Sequence, residues 1–150
     1  ATQRTVDSAQ LARLRTLYGG DVEILAQPAP GLVECIEAGD FTAPHTRALV
    51  AAYVRPLIDA GADVLVLGCT HYPLIRDLIE AEAGPACAVI DPAPAVAREL
   101  RRRLTADALL ADGPARAPRV YTTGPVPAMQ ALLALLGEPD QETTRVTIGG

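Results

Sequence analysis

The chain has no CxxC pair among its three cysteines, Cys35, Cys69 and Cys87. That excludes a disulfide framework, and an odd, sparse count fits a reducing cytoplasm. Cys69 and His71 offer two metal ligands where a structural zinc site needs four, and no second cluster follows, so no metal is expected. No apolar run reaches the ~18 residues of a membrane-spanning helix, so no membrane partner is expected. Neither a GxGxxG nor a Walker A sequence is present, which removes the usual phosphate-cradling loops. There is no cationic excess: 18 acidic residues against 13 basic ones leave a net charge of −5. With a pI near 4.9, this argues against nucleic acid as a partner. No internal repeat is visible. No signal peptide is visible either, and the first residue is Ala1, so the natural start is expected further upstream.

What is present is an alternating α/β pattern. At 150 residues and 49% hydrophobic content, the chain can bury ~70% of its unfolded surface in one core. Its mean hydropathy is +0.20. Thr2–Val6 reads as a strand, followed by a helix that Ser8 N-caps and Gly19-Gly20 ends, with Leu11, Leu14, Leu17 and Tyr18 as its apolar side. Residues 22–26 read as a strand, and Leu32, Val33 and Ile36 as a short helix ending at Gly39. Pro44 opens a long helix whose apolar face is Leu49, Val50, Tyr53, Val54, Leu57 and Ile58, bent by Pro56. Strands are then expected at 64–67, 87–90, 120–123 and 145–148. Helices are expected around Val96 to Leu104 and Met129 to Leu136. Such alternation implies a mainly parallel sheet flanked by helices.

The most informative run is Gly68-Cys69-Thr70-His71-Tyr72-Pro73-Leu74-Ile75. It follows the apolar Val64-Leu65-Val66-Leu67, which suits a strand buried on both faces. Pro73 fits a first helical turn. Cys69 is therefore expected in a strand-to-helix turn beside unpaired helix N–H groups, a setting that favours the thiolate. Ligand sites in open α/β sheets lie at such strand ends. By itself, Cys69 divides evenly between a small packing residue and a functional thiol.

Gly-Cys-Thr-His-Tyr-Pro as a unit resembles the second-cysteine motif of glutamate racemases, within the aspartate/glutamate racemase superfamily. Aspartate racemases carry an acidic residue at the His71 position. The opening Ala1 to Ser8 resembles the family's Gly-Thr-x-Ala-Thr-Val segment, with Ala1 and Arg4 as departures. Pro30 to Gly39 resembles the segment ending in the family's active-site glutamate. Asp91-Pro92-Ala93 and Tyr121-Thr122-Thr123-Gly124 also match, so the resemblance covers nearly the whole chain in order.

The resemblance implies one lobe of a two-lobed α/β fold and a cofactor-independent isomerase. Two cysteines on opposite faces of glutamate remove and return the α-proton. It makes Cys69 the base for the L-isomer, His71 a proton relay or tuner of that thiol, and Glu37 the acidic partner of His71. Glu34, three residues earlier on the same helix, is the alternative to Glu37. Thr70, Thr2 and Thr5 would hold the substrate. Read from the residues alone, Thr70 is an ordinary helix cap, Thr2 and Thr5 are strand threonines, and His71 is a structural hydrogen-bonding group. Cys35 and Cys87 read as packing residues, His45 as exposed, and Arg101 to Arg103 as a solvated helix end.

The family's Asp-Ser-Gly and Cys-Asn-Thr motifs, the latter holding the first catalytic cysteine, do not occur here. Residues 1–91 are thus expected to form the second lobe, and residues 92–150 to return to the first, which is incomplete. This makes the chain a fragment or one half of a split enzyme, expected to be inactive or incomplete by itself. The family implies a cytoplasmic enzyme, homodimeric at full length, supplying D-glutamate for peptidoglycan. Two other readings remain: a related racemase or isomerase acting on another acid such as aspartate, and a catalytically silent glutamate-binding module.

Overall fold

The structure is a computed structural model describing residues 6–111, 113–114 and 117–148. It divides into two compact units, Ala1–Ala97 and Arg98–Gly150.

In the first unit, helix α1 (Ala9–Tyr18) starts as its sequence dictates. Ser8 Oγ accepts the Leu11 N–H at 3.3 Å, and the Gly19 N–H closes on the Arg15 carbonyl. None of its residues is buried, and Leu14, Leu17 and Tyr18 are exposed. The expected strand at 22–26 does not form: among the described residues this stretch has no ladder partner, and backbone groups without one stay solvated. The expected neighbouring strand, Thr2–Val6, falls mostly on residues 1–5, outside the described residues, and Val6 is helical.

Helix α2 (Leu32–Glu37) begins at Gly31, whose φ of +83° only glycine adopts without strain. Leu32 and Ile36, four residues apart, share its buried side. Helix α3 (Pro44–Asp59) carries Pro44 in its first turn and runs through Pro56. Thr46 Oγ donates to the Asp40 carbonyl at 2.5 Å and is fully buried. Tyr53 Oη donates to the Pro30 carbonyl at 2.7 Å, tying α3 to the entry of α2.

Strands β1 (Val64–Val66) and β2 (Ala88–Ile90) pair in parallel, with Leu65 opposite Val89. Leu65 and Val89 point into a core shared with Leu32, Ile36, Val50, Val54, Ile75 and Ile79. The opposite face, with Val64, Val66 and Ile90, is exposed. The expectation of a strand buried on both faces is therefore corrected. α2, α3 and the residues after β1 fill one side, and among the described residues none buries the other.

After β1 the chain does not enter an α-helix at Pro73 as expected. A four-residue 3₁₀ turn, Tyr72–Ile75, intervenes, and helix α4 starts only at Arg76 (Arg76–Ala83). The side chain of Arg76 binds α4 to β2: its Nη2 donates to the Val89 carbonyl at 3.0 Å and its Nε to Glu80 at 2.6 Å. Arg55 of α3 pairs with Glu82 of α4 at 2.5 Å. Helix α5 (Ala93–Ala106) opens with Asp91 Oδ1 accepting the Ala93 N–H at 2.9 Å. As expected, Arg101 to Arg103 are solvent-exposed near its end, and Arg102 and Arg103 both bond Glu99.

The second unit is a βαβ element. Strands β3 (Val120–Thr122) and β4 (Thr143–Arg145) pair in parallel around helix α6 (Val126–Leu135). The last strand was expected at 145–148. Pairing with β3 instead selects Thr143 opposite Val120, and the Val146 N–H on the Thr122 carbonyl ends the ladder. Among the described residues, none of this unit is buried.

Candidate active site

The turn leaving β1 places three expected site residues in line. His71 Nε2 lies 3.2 Å from Glu37 Oε1, and His71 Nδ1 lies 3.7 Å from Cys69 Sγ. The imidazole thus bridges a carboxylate on the last residue of α2 and a thiol at the end of β1. Its side chain is 24% exposed and that of Glu37 is 62% exposed, so the line runs from protein interior to solvent. Cys69 is half-buried and packs against the core.

Local structure explains the alignment. The Tyr72 N–H donates to the Cys69 carbonyl at 3.3 Å and the Leu74 N–H to the His71 carbonyl at 3.0 Å, which fixes the turn. Buried Tyr72 and Ile75 anchor it from below. Ile36 and Leu32 hold α2 in the same core, and Glu37 follows Ile36 directly.

Several expectations are refined. α4 begins seven residues after Cys69, so the thiol is not in the first turn of the α-helix that follows it, and helix-dipole effects fade within the first turn. The nearest polar partner of Cys69 is instead the His71 imidazole. Thr70 is not a helix cap: no side chain caps the 3₁₀ turn, and Thr70 Oγ lies 3.5 Å from His71 Nδ1, competing with the thiol for that nitrogen. Of the two candidate glutamates, Glu37 reaches His71, whereas Glu34 acts on Tyr72. Thr2 and Thr5 lie outside the described residues. His45 is exposed as expected. Cys87 packs against the core, and burial, with the charge of Asp63 second, pushes its thiol up. Cys35 is half-buried but is not among the core side chains.

Tyr72 is the site-lining residue that sequence reasoning passed over except as a motif letter. Burial pushes its phenol up to about 12, helped by the neighbouring Cys69, Tyr53 and Glu34 charges. Its one signal in the sequence is an aromatic residue directly after the Cys-x-His triplet, where a buried ring anchors a turn.

Among the described residues, no cluster of His, Cys, Asp or Glu has the geometry of a metal site, and no helix is long and apolar enough to cross a membrane. Two shallow hollows, of about 630 and 590 Å³, lie along α3 and between α4 and β2 and include none of Cys69, His71 or Glu37.

Fold and site together define an α/β protein with a thiol–imidazole–carboxylate line at a strand end. Residues 1–100 match the Asp/Glu/Hydantoin racemase family, to which this chain belongs. It is 47% identical over 136 residues to a glutamate racemase of Pseudomonas putida, covering 91% of this chain and 51% of the relative. A Pseudomonas aeruginosa glutamate racemase is 48% identical over 142 residues, covering 93% and 53%. The chain therefore spans about half the length of the curated relatives it matches. Among solved structures, a Bacillus anthracis glutamate racemase superposes with a TM-score of 0.86 at 26% identity, over 96% of this chain and 54% of that one. A Thermus thermophilus glutamate racemase, solved with β-chloro-D-alanine, gives 0.70 at 32% identity, over 87% and 51%. The fold is thus the racemase α/β fold, with its sheets parallel.

Proposed function

We propose that this chain supplies one acid/base half of a cofactor-independent glutamate racemase, with Cys69 as its proton-transferring group. The observation that carries the reading is the line from Glu37 through His71 to Cys69, at 3.2 and 3.7 Å.

The chemistry follows from that line. The Cys69 thiolate takes the α-proton of L-glutamate: an S–H bond forms, the Cα–H bond breaks, and the electron pair stays on Cα, delocalised into the carboxylate. An acid on the opposite face then delivers a proton to Cα and leaves as its conjugate base. Because one base cannot reach both faces, that second group comes from outside the residues of this turn. His71 Nδ1 resets Cys69 by accepting the thiol proton, and its Nε2–H is held by the Glu37 carboxylate, which stabilises the imidazolium. The α-proton of an amino acid is a very weak acid, so donors aimed at the substrate carboxylate are needed. Thr70, with Thr2 and Thr5, is assigned that task. In this reading residues 1–91 form the second racemase lobe and 92–150 return to the first. The whole enzyme is a cytoplasmic homodimer serving peptidoglycan synthesis.

The test is loss of the α-proton signal of L-glutamate in D₂O, followed by proton NMR. The chain is assayed alone and with the complementary stretch of the Pseudomonas putida relative. Exchange that vanishes in Cys69→Ala supports the reading; exchange at an unchanged rate in that variant overturns it. L-aspartate in place of L-glutamate separates the related-substrate alternative. Binding of glutamate without exchange would favour a silent module.

A further inference from the structure

Two donors meet one acceptor in the turn leaving β1. His71 Nε2 lies 3.2 Å from Glu37 Oε1. A carboxylate only accepts, so that nitrogen carries the ring proton, and Nδ1 is the acceptor of the neutral imidazole. Thr70 Oγ lies 3.5 Å from Nδ1 and Cys69 Sγ 3.7 Å from it. Each has one hydrogen to give, and Nδ1 has one lone pair to receive it. The settings differ: Cys69 is half-buried against the core, whereas Thr70 is exposed.

Which donor holds Nδ1 decides the state of the thiol. With Cys69 on Nδ1, the thiol proton can pass to the ring. The S–H bond breaks, its electron pair stays on sulfur, and an imidazolium forms beside the Glu37 carboxylate. With Thr70 on Nδ1, that nitrogen cannot take the thiol proton, and the hydroxyl does not surrender its own. Sulfur is the larger atom, so the two distances leave the donors evenly placed. O–H is the stronger donor, and the net strength of an ordinary hydrogen bond makes its advantage roughly two- to tenfold. A ligand carboxylate reverses the outcome. Hydrogen bonds to an ionised acceptor are about twice as strong as those between neutral groups, so a carboxylate at the exposed Thr70 hydroxyl draws it off the imidazole.

We propose that Thr70 is a positioning residue whose hydroxyl occupies His71 Nδ1 in the ligand-free site and keeps the proton on Cys69, until a substrate carboxylate frees that nitrogen for the thiol. This rests on the acid/base reading of Cys69 given above, but its first readout needs no turnover, so the two can fail separately.

The experiment is alkylation of Cys69 by iodoacetamide in the ligand-free chain at neutral pH. Peptide mass spectrometry counts Cys35 and Cys87 apart. The thiolate is the reacting form. Thr70→Val keeps the shape and removes the hydroxyl, so labelling should rise about two- to tenfold; Thr70→Ser should label at the wild-type rate. In a His71→Ala background Thr70→Val should change nothing, because the contested nitrogen is gone. The nitrogen-15 signal of His71 Nδ1 should shift in Thr70→Val and stay in place in Thr70→Ser, a pattern that a merely structural role of Thr70 would not produce. With the complementary stretch of the Pseudomonas putida relative present, L-glutamate should move the wild-type signal toward that of Thr70→Val. Thr70→Ala takes the place of Thr70→Val if the latter loses its urea transition. Equal labelling of wild type and Thr70→Val overturns the proposal. So does a gain that survives in His71→Ala, which would come from easier access to the thiol. A wild-type signal that stays in place while calorimetry shows glutamate bound overturns it too. The expected labelling pattern without Cys69-dependent α-proton exchange would support the Thr70 contact and remove the racemase reading.

Discussion

Replacing Ile36 by Ala tests how the core positions the chemistry. Ile36 is 1% exposed, lies in the centre of the core, and directly precedes Glu37, the carboxylate that pairs with His71. The substitution removes three carbons from a filled site. At ~0.8 kcal/mol per buried methylene the transfer loss is about 2.4 kcal/mol, and an incompletely relaxed cavity brings the total to about 2–4 kcal/mol. Urea unfolding followed by far-UV circular dichroism reads this directly. With a slope of ~1.5 kcal/mol/M, the midpoint should fall by about 1.3–2.7 M with an unchanged slope. Among the described residues, all the buried apolar ones lie in the first unit, so the transition reports that unit. Glu37→Gln is the matched control. An exposed pair of this kind is worth ~0–1 kcal/mol, so that variant should change the midpoint little while disturbing proton transfer. A loss below about 1 kcal/mol for Ile36→Ala would refute the reasoning, because α2, and with it Glu37, would then not be held by the core.

Three further outcomes are expected. In an alkaline ultraviolet titration, Tyr72 should ionise near pH 12. Its pKa is raised on folding, so the stability it confers is complete below the unfolded value near 10 and is lost as pH climbs through about 12. Tyr72→Phe should remove that alkaline loss, and a midpoint near 10 would contradict the buried phenol. Glu99 is drawn down to about 2, first by the Arg102 hydrogen bond and then by that of Arg103. Its contribution is therefore present above the ordinary carboxylate range and lost as pH falls toward 2; a side-chain carboxyl NMR titration centred near 4 would refute the pairing. Gly31→Ala forces a side chain into the left-handed region at φ +83°. It should lower stability by about 1–2 kcal/mol, measured by the same urea transition, with no loss expected only if α2 starts elsewhere.

Much of the site was legible because its signals are local. The Cys-Thr-His triplet, the proline after it and the glycines around β1 announce a strand-end turn from spacing alone. The Ser8 cap, the Pro44 helix start and the β1–β2 and β3–β4 alternation were legible in the same local way. Less legible were features that depend on a partner. Residues 22–26 have strand composition but no pairing strand among the described residues, and β4 shifted to Thr143–Arg145 because register belongs to the ladder and not to one segment. The 3₁₀ turn at Tyr72–Ile75 was hidden for a related reason: a single turn of either helix type looks alike in apolar periodicity.

The sequence by itself determined the α/β class, the order of the helices, and the pairing of a thiol with an imidazole two residues away, all encoded by short-range patterning. The motif named Glu37 ahead of Glu34, but only the tertiary structure shows the contact with His71, because residues one helical turn apart share a face and their reach depends on how α2 seats in the core. It also decided that Thr70 turns to the imidazole instead of capping a helix. It decided that Val64, Val66 and Ile90 on the first sheet, and Tyr121 and Leu135 in the second unit, are exposed. Burial is a property of what surrounds a residue, and long-range packing sets it where local periodicity cannot.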